Sequence, residues 1–319
     1  MAKGPGKSFR KGLSLMDLAE MFPTDRAAEE WVIAIRWPNG VRCPCCDSDN
    51  IQARPTRKPQ PFRCRSCRKD FSVKTGTVMQ SSNLGLRKWA FAVYLMTTGL
   101  KGTSSMKLRR DLGITQKTAW HLGHRIREAF QEHQGVFDGP VEIDETFIGG
   151  KEKNKHAKKR LNVGGGTGGK APVVGIKDRA TGEVMAAPMA NVTKKNIGEF
   201  AGKRIKPGAK VYTDGASAYP MEHEAVKHSV GEYVRGQVHT NGVESFWAML
   251  KRGYYGTYHR MSVKHLGRYV REFSGRHNQR LNDTLNQMAF VVAGMVGKRL
   301  RYKDLVAEHG NEPLAENVT

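Results

Sequence analysis

The sequence predicts a multidomain chain in which an α/β domain follows a cysteine-knuckle module and a small all-α region. Three observations carry this expectation. All five cysteines of the 319 residues, Cys43, Cys45, Cys46, Cys64 and Cys67, fall in one short window. Behind that window come segments with helical periodicity, interrupted by a turn at Asp111-Leu112-Gly113-Ile114. From Val141 onward, short runs with strand-like alternation are mixed with amphipathic helical runs, the pattern of an α/β domain. The boundaries expected are 1–40 for an N-terminal helical segment, 41–80 for the cysteine module, 81–135 for the helical region, 136–300 for the α/β domain and 301–319 for a frayed tail.

In chain order, SLMDLAEMF and DRAAEEWVIAIRW read as two short helices, with Thr24 as N-cap of the second. WPNG turns the chain into the cysteine window. Cys43-x2-Cys46 and Cys64-x2-Cys67, separated by 17 residues, have the two-knuckle spacing of a structural Zn²⁺ site closed by four thiolates. An odd fifth thiol argues against a disulfide framework; Cys45 reads as a bystander that could compete with Cys46. LRKWAFAVYLMTTG is an apolar helix, and SSMKLRRDLGITQKTAWHLGHRIREAF has the layout of a helix-turn-helix with Thr115 as cap. A plain helical hairpin is the alternative. In the helix-turn-helix reading Gln116, Lys117, His121 and either His124 or Arg125 face a DNA groove.

The strands expected in the α/β domain are VEIDETFI, PVVGIKDR, GEVMAAPM and KVYTDG, with helices near 194–203, 242–252 and 263–276. Between the first two strands lies a basic, glycine-rich insertion, KEKNKHAKKRLNVGGGTGGK. Its GGGTGGK matches the start of a nucleotide-binding loop, but Ala171 and Pro172 stand where such a loop needs a metal-holding hydroxyl and a helix N-terminus. ATP binding is thereby disfavoured, and Lys170 is expected to make a nonspecific phosphate contact.

A net charge of +23, from 53 Lys and Arg against 30 Asp and Glu, points to a polyanionic partner, nucleic acid first. With 39% hydrophobic residues the chain is no disordered basic tail, and no apolar run approaches the roughly 18 residues that span a bilayer. A soluble, cytoplasmic protein without a membrane partner is expected.

Against this basic background the acids stand out. In VEIDETFI, Glu142 and Asp144 alternate with Val141 and Ile143, so the acids share one strand face. Asp214 ends KVYTDG. If the two strands are adjacent and parallel, Asp144 and Asp214 emerge at one carboxyl edge, where a divalent cation with oxygen ligands, Mg²⁺ or Mn²⁺, would relieve their repulsion. HTNGVESFWAMLKRG offers Glu244 as a third acid on a helix, with Lys251 seven residues on, about two turns, on the same face to grip phosphate. Arg252 is a further DNA contact. Glu142 and Glu145 read as supporting charges, and His239 as a proton shuttle, a phosphate contact or an anchor of the helix start.

Together, CPCC and CRSC with the following FSVKTGT, VEIDETFIGGK, VYTDGASAY and HTNGVESFWAMLKRGYYGTYHRMSVKHLGRYVREF resemble the transposases of bacterial insertion sequences with an Asp-Asp-Glu triad, specifically the ISXO-like group with an N-terminal zinc ribbon. The resemblance covers most of Trp37 to Asn282. It implies an RNase H-like catalytic domain, catalytic Asp144, Asp214 and Glu244 holding two divalent metals, and Lys251 in the position the family gives a lysine. It further implies double-stranded DNA as partner, both element ends and target, with a homodimer or higher oligomer on DNA in a bacterial nucleoid. The activity implied is cleavage at terminal inverted repeats followed by joining of the 3′-hydroxyl to target DNA; a nuclease of the same fold and a transposase-derived DNA-binding regulator are the alternatives. Some members carry Asn as third residue, so Asn241 competes with Glu244, and Ser274-Gly275 predict a loosened helix.

Overall fold

The computed structural model describes residues 12–130, 135–150, 154–161, 167–214, 224–225 and 239–307. The chain divides into two compact units, Met1–Gln131 with Gln279–Thr319, and Glu132–Asn278. The first begins with helices α1 (Leu15–Met21) and α2 (Asp25–Arg36). A capping box between Ser14 and Asp17 starts α1, and the Thr24 hydroxyl accepts from Ala27 N at the start of α2. The cysteine module is a three-stranded antiparallel sheet of β1 (Ile51–Ala53), β2 (Phe62–Cys64) and β3 (Asp70–Phe71). So small a sheet has little core of its own: Trp37, Phe62 and Phe71 pack around Cys43 and Cys64. Helices α3 (Leu86–Thr98), α4 (Ser105–Leu112) and α5 (Gln116–Ala129) follow, with Gly113 in the left-handed conformation that closes α4 and Thr115 capping α5.

The second unit is built on a five-stranded sheet. Strand β4 (Val141–Ile148) pairs antiparallel along its whole length with β5 (Ala171–Asp178), and β5 pairs antiparallel with β6 (Val184–Pro188). Helix α6 (Lys194–Gly202) then leads to β7 (Val211–Thr213), which is parallel to β4, and β8 (Glu224–Ala225) lies parallel to β7. The strand order is β6-β5-β4-β7-β8. Helix α7 (Asn241–Gly253), a π-helical turn at Tyr254–Tyr258 and α8 (Val263–Asn278) complete the unit. Side-chain alternation sorts the sheet into two apolar layers: Val141, Ile143, Val174, Ile176 and Val211 meet Ile197 and Phe200 of α6, whereas Ile148, Val173 and Val184 meet residues of α7 and α8. The expected loosening at Ser274-Gly275 is absent. Helix α8 runs through both residues, which are buried, and the Ser274 hydroxyl donates to the Val270 carbonyl.

After α8 the chain returns to the first unit. This departs from the expected boundary at residue 300: α9 (Thr284–Ala293) buries Met288, Val291 and Val292 in the same core as Trp89, Met96, Leu122 and Ile126. The tail also begins later than expected. Residues Tyr302–Val306 form α10, which buries Leu305 and sets Tyr302 beneath Lys117, whose Nζ lies 4.4 Å from the ring centre. The expected helices stop at 263–276, and the apolar residues of α9 do not by themselves say which core buries them. The tail HGNEPLAENVT and residues 151–153 and 162–166 of the basic insertion lie outside the described residues.

Candidate functional site

In the cysteine module, Sγ atoms of Cys43, Cys46, Cys64 and Cys67 all lie within 4.8 Å of one another, with Cys43–Cys67 and Cys46–Cys64 each at 3.6 Å. Four sulfurs at about 2.3 Å from one ion in a tetrahedron would stand about 3.8 Å apart, so the donor set fits Zn²⁺. Backbone N–H groups two or three residues on point at the sulfurs, Cys45 N at Cys43 and Cys67 N at Cys64, each at 3.4 Å. The Cys67 N–H pulls the Cys64 thiol down to about 6, while Cys67 itself is pushed up to about 12 by burial and the neighbouring sulfurs. Without a metal, one sulfur of the crowded group ionises at the expense of the others, a repulsion that a cation would relieve. Cys45 stands outside this group, exposed, with Lys69 Nζ donating to its sulfur at 2.8 Å.

The acidic site lies where β7 stops. Parallel register sets Val141 against Val211 and Glu142 against Tyr212, so Asp144 and Asp214 stand at equal steps along their strands. Asp144 is not near the end of β4, as expected, but in its middle. Strand β5 covers β4 on one side throughout, and the opening comes from β7 ending at Thr213 on the other. Oxygens of Asp144, Glu145 and Asp214 lie within 4.8 Å of one another, so Glu145 joins the pair more closely than a remote supporting charge would. Burial pushes the Asp144 carboxyl up to about 7, aided by the charges of Asp214, Glu145 and Glu244. A buried carboxylate crowded by like charges is one that a divalent cation would relieve, and oxygen-only donors suit Mg²⁺ or Mn²⁺.

Glu244 sits in the first turn of α7, half-buried, its Oε1 accepting from the Thr240 hydroxyl at 3.0 Å. Asn241, the first residue of α7, is exposed, as are Lys251 and Arg252 in its last turn. The start of α7 is tied to the sheet by a buried ion pair. Glu142 accepts from Arg179 Nε at 2.9 Å and from Val243 N at 2.9 Å; Arg179 also lies over the Tyr212 ring and donates to the His239 carbonyl at 2.6 Å. His239 Nδ1 stands 3.0 Å from Arg179 and 3.5 Å from Glu142, within the anchor of the helix start. Two residues that the motif reading missed complete the site: Trp247, whose Nε1 donates to Asp144 Oδ2 at 3.0 Å, and Gly175, over which the indole lies. A glycine inside the strand PVVGIKD was the available signal, since it marks a close approach.

The residues expected to face DNA separate. Gln116 and Lys117 are exposed in the first turn of α5. His121 is half-buried with Nε2 3.1 Å from the Leu300 carbonyl, and burial lowers its pKa. His124 is buried, and Arg125 is 9% exposed with its guanidinium donating to the carbonyls of Leu300 and Gln80. The expectation for Arg125 is therefore corrected: only the first turn of α5 clears the surrounding core. Lys170, just before β5, is half-buried against Gly149.

Residues 136–278 match the ISXO2-like transposase domain, and residues 23–70 match the transposase zinc-ribbon domain. These matches put the chain in the transposase class. Over 271 residues, 80% of this chain and 91% of the relative, it is 34% identical to an uncharacterized protein in transposable element ISH50 of Halobacterium salinarum. The chain belongs to the ISXO2-like transposase family. No helix among the described residues is long and apolar enough to cross a membrane.

Proposed function

We propose that the protein is a DNA transposase that binds the terminal inverted repeats of its element, cleaves DNA strands there and joins the 3′-hydroxyl ends to target DNA. The observation that carries this reading is the equal register of Asp144 and Asp214 on adjacent parallel strands, with Glu244 on the helix packed over that edge. The strand order β6-β5-β4-β7-β8, three antiparallel strands followed by two parallel ones, supports an RNase H-like catalytic domain.

Asp144, Asp214 and Glu244, with Glu145 beside them, would hold two Mg²⁺ or Mn²⁺ ions, which supply Lewis-acid charge at phosphorus and make water or a 3′-hydroxyl a stronger nucleophile. The protein's own part is positioning and charge. Trp247 fixes Asp144, the Glu142–Arg179 pair fixes the helix that carries Glu244, and Lys251 and Arg252 bring positive charge on that helix to the phosphate backbone. The ribbon with Zn²⁺ on Cys43, Cys46, Cys64 and Cys67, and the α4–α5 pair read as a helix-turn-helix, supply end recognition, with Gln116 and Lys117 facing DNA. Lys170 adds a backbone contact. A homodimer or higher oligomer on DNA brings two element ends together.

The test is incubation with precleaved element ends, Mg²⁺ and a supercoiled plasmid. Joined products are expected from the wild type, and none from Asp144→Asn or Asp214→Asn. Hydrolysis without joined product would make the protein a nuclease, and near-wild-type joining by either variant would remove the carboxylates from the chemistry.

A further inference from the structure

The residues that hold a catalytic carboxylate in place are as consequential as the carboxylate, because a free carboxyl group turns readily about its last torsion. Strand β4 and helix α7 meet at two matched points. Glu142 Oε2 accepts from Val243 N at 2.9 Å, and Asp144 Oδ2 accepts from Trp247 Nε1 at 3.0 Å. Two residues along a strand advance about 6.7 Å, and four along a helix about 6 Å. The two bonds therefore keep step, one strand repeat against one helical turn.

The sheet is shaped for the indole. Gly175 is the cross-strand partner of Asp144 in β5, and a Cβ there would lie 2.6 Å from Trp247 Cζ2 and 2.7 Å from Cη2. Trp247 is 3% exposed, so its N–H has no access to bulk water, and leaving it unpaired would cost about 1–3 kcal/mol. Tryptophan nitrogen only donates; it can neither ligate a cation nor take up a proton from the carboxyl group. Its contact with Asp144 orients that group and favours its ionised form, the form that holds a cation.

We infer that Trp247, seated on Gly175, is a positioning residue that sets the Asp144 carboxylate for its cation and holds Glu244-bearing α7 in register with β4. This rests on the metal-binding reading of Asp144 proposed above. Outer-shell partners of metal ligands typically contribute about 10–100-fold in metal affinity, and the same scale is expected here.

The test measures Mn²⁺ binding to the full chain without DNA, from loss of the free-ion electron paramagnetic resonance signal; soft thiolates are poor competitors for Mn²⁺. Wild type should bind, and Asp144→Asn should lose that binding. Trp247→Phe and Gly175→Ala should each bind about tenfold more weakly. Because either could loosen packing, the deciding variant carries β-(3-benzothienyl)alanine at position 247, with sulfur replacing the N–H in a ring of the same shape. It should keep the fold, melting only a few degrees below the wild type for the one hydrogen bond lost, yet bind Mn²⁺ about tenfold more weakly. Affinity in this variant within about twofold of wild type overturns the positioning role while leaving the metal site intact. A wild type that binds no Mn²⁺, or binding indifferent to Asp144→Asn, overturns both.

Discussion

Asp144 concentrates the site's electrostatics at the scale of one residue. Its carboxyl, ordinarily near 3.8, is pushed up to about 7 by burial and by its acidic neighbours. Between those two values the folded metal-free protein holds a proton that the unfolded chain has released, so stability falls as pH rises from about 4 to about 7, and the loss is complete above that window. Asp144→Asn removes the penalty. In chelator-treated protein the variant should be more stable than wild type by roughly 2–4 kcal/mol at pH 8 and equal to it near pH 4. Thermal melts across that range check this, and saturating Mg²⁺ should reverse the order by stabilising only the wild type. The pairing of Asp144 with Asp214 was legible in sequence because strand periodicity is two and both acids sit three residues past a valine at the strand start. The part played by Glu145 was not, since alternation alone puts it on the opposite face from Asp144; only the opening beside β7 brings the three oxygens together.

Single elements carry the next level of argument. The knuckle spacing announced the ribbon, and the geometry separates Cys45 from the four sulfurs. Cys64→Ser should lose about one Zn per chain by metal analysis and with it specific DNA-end binding, while Cys45→Ser keeps both; equal metal content in the two variants would break the assignment. Helix α5 was legible as a helix, with its Thr115 cap, but amphipathic periodicity cannot say whether a stripe faces a core or a groove. Arg125 turned out to bridge two backbone carbonyls. Arg125→Ala, which leaves both carbonyls buried, should therefore destabilise the protein by about 1–3 kcal/mol, whereas Lys117→Ala, which loses only the contact with the Tyr302 ring, should cost no more than about 1 kcal/mol. Helix α7 offers the same kind of contrast. Glu244 acts on Asp144 and Asn241 is exposed at the first position. Glu244→Gln should abolish Mg²⁺-dependent cleavage, and Asn241→Ala should retain measurable cleavage of element ends. The reverse pattern would move the third ligand one helical turn towards the helix start.

At the scale of the whole molecule, a net charge of +23 stands beside the crowded carboxylates of Asp144, Glu145 and Asp214. On the function proposed above, the two signs have separate tasks: lysine and arginine bind DNA by releasing condensed counterions, an effect that depends on salt, while Asp144, Asp214 and Glu244 serve the chemistry rather than the binding. If Lys117 lies on a phosphate, Lys117→Ala should lower affinity for both cognate and unrelated duplexes and reduce the slope of log K against log salt by about 0.9. At pH 8, where the metal-free Asp144 is ionised, Asp144→Asn should leave that slope unchanged and bind at least as tightly, because it removes a negative charge near the phosphate, while cleavage disappears. Both follow from fluorescence anisotropy titrations of one labelled duplex at several salt concentrations, run in EDTA so that binding is read without turnover. A Lys117→Ala slope equal to wild type would show that the first turn of α5 does not meet the DNA backbone. Weaker binding by Asp144→Asn would mean that the carboxylate edge grips DNA directly, and the separation of binding by the cationic surface from catalysis by the acids would fail.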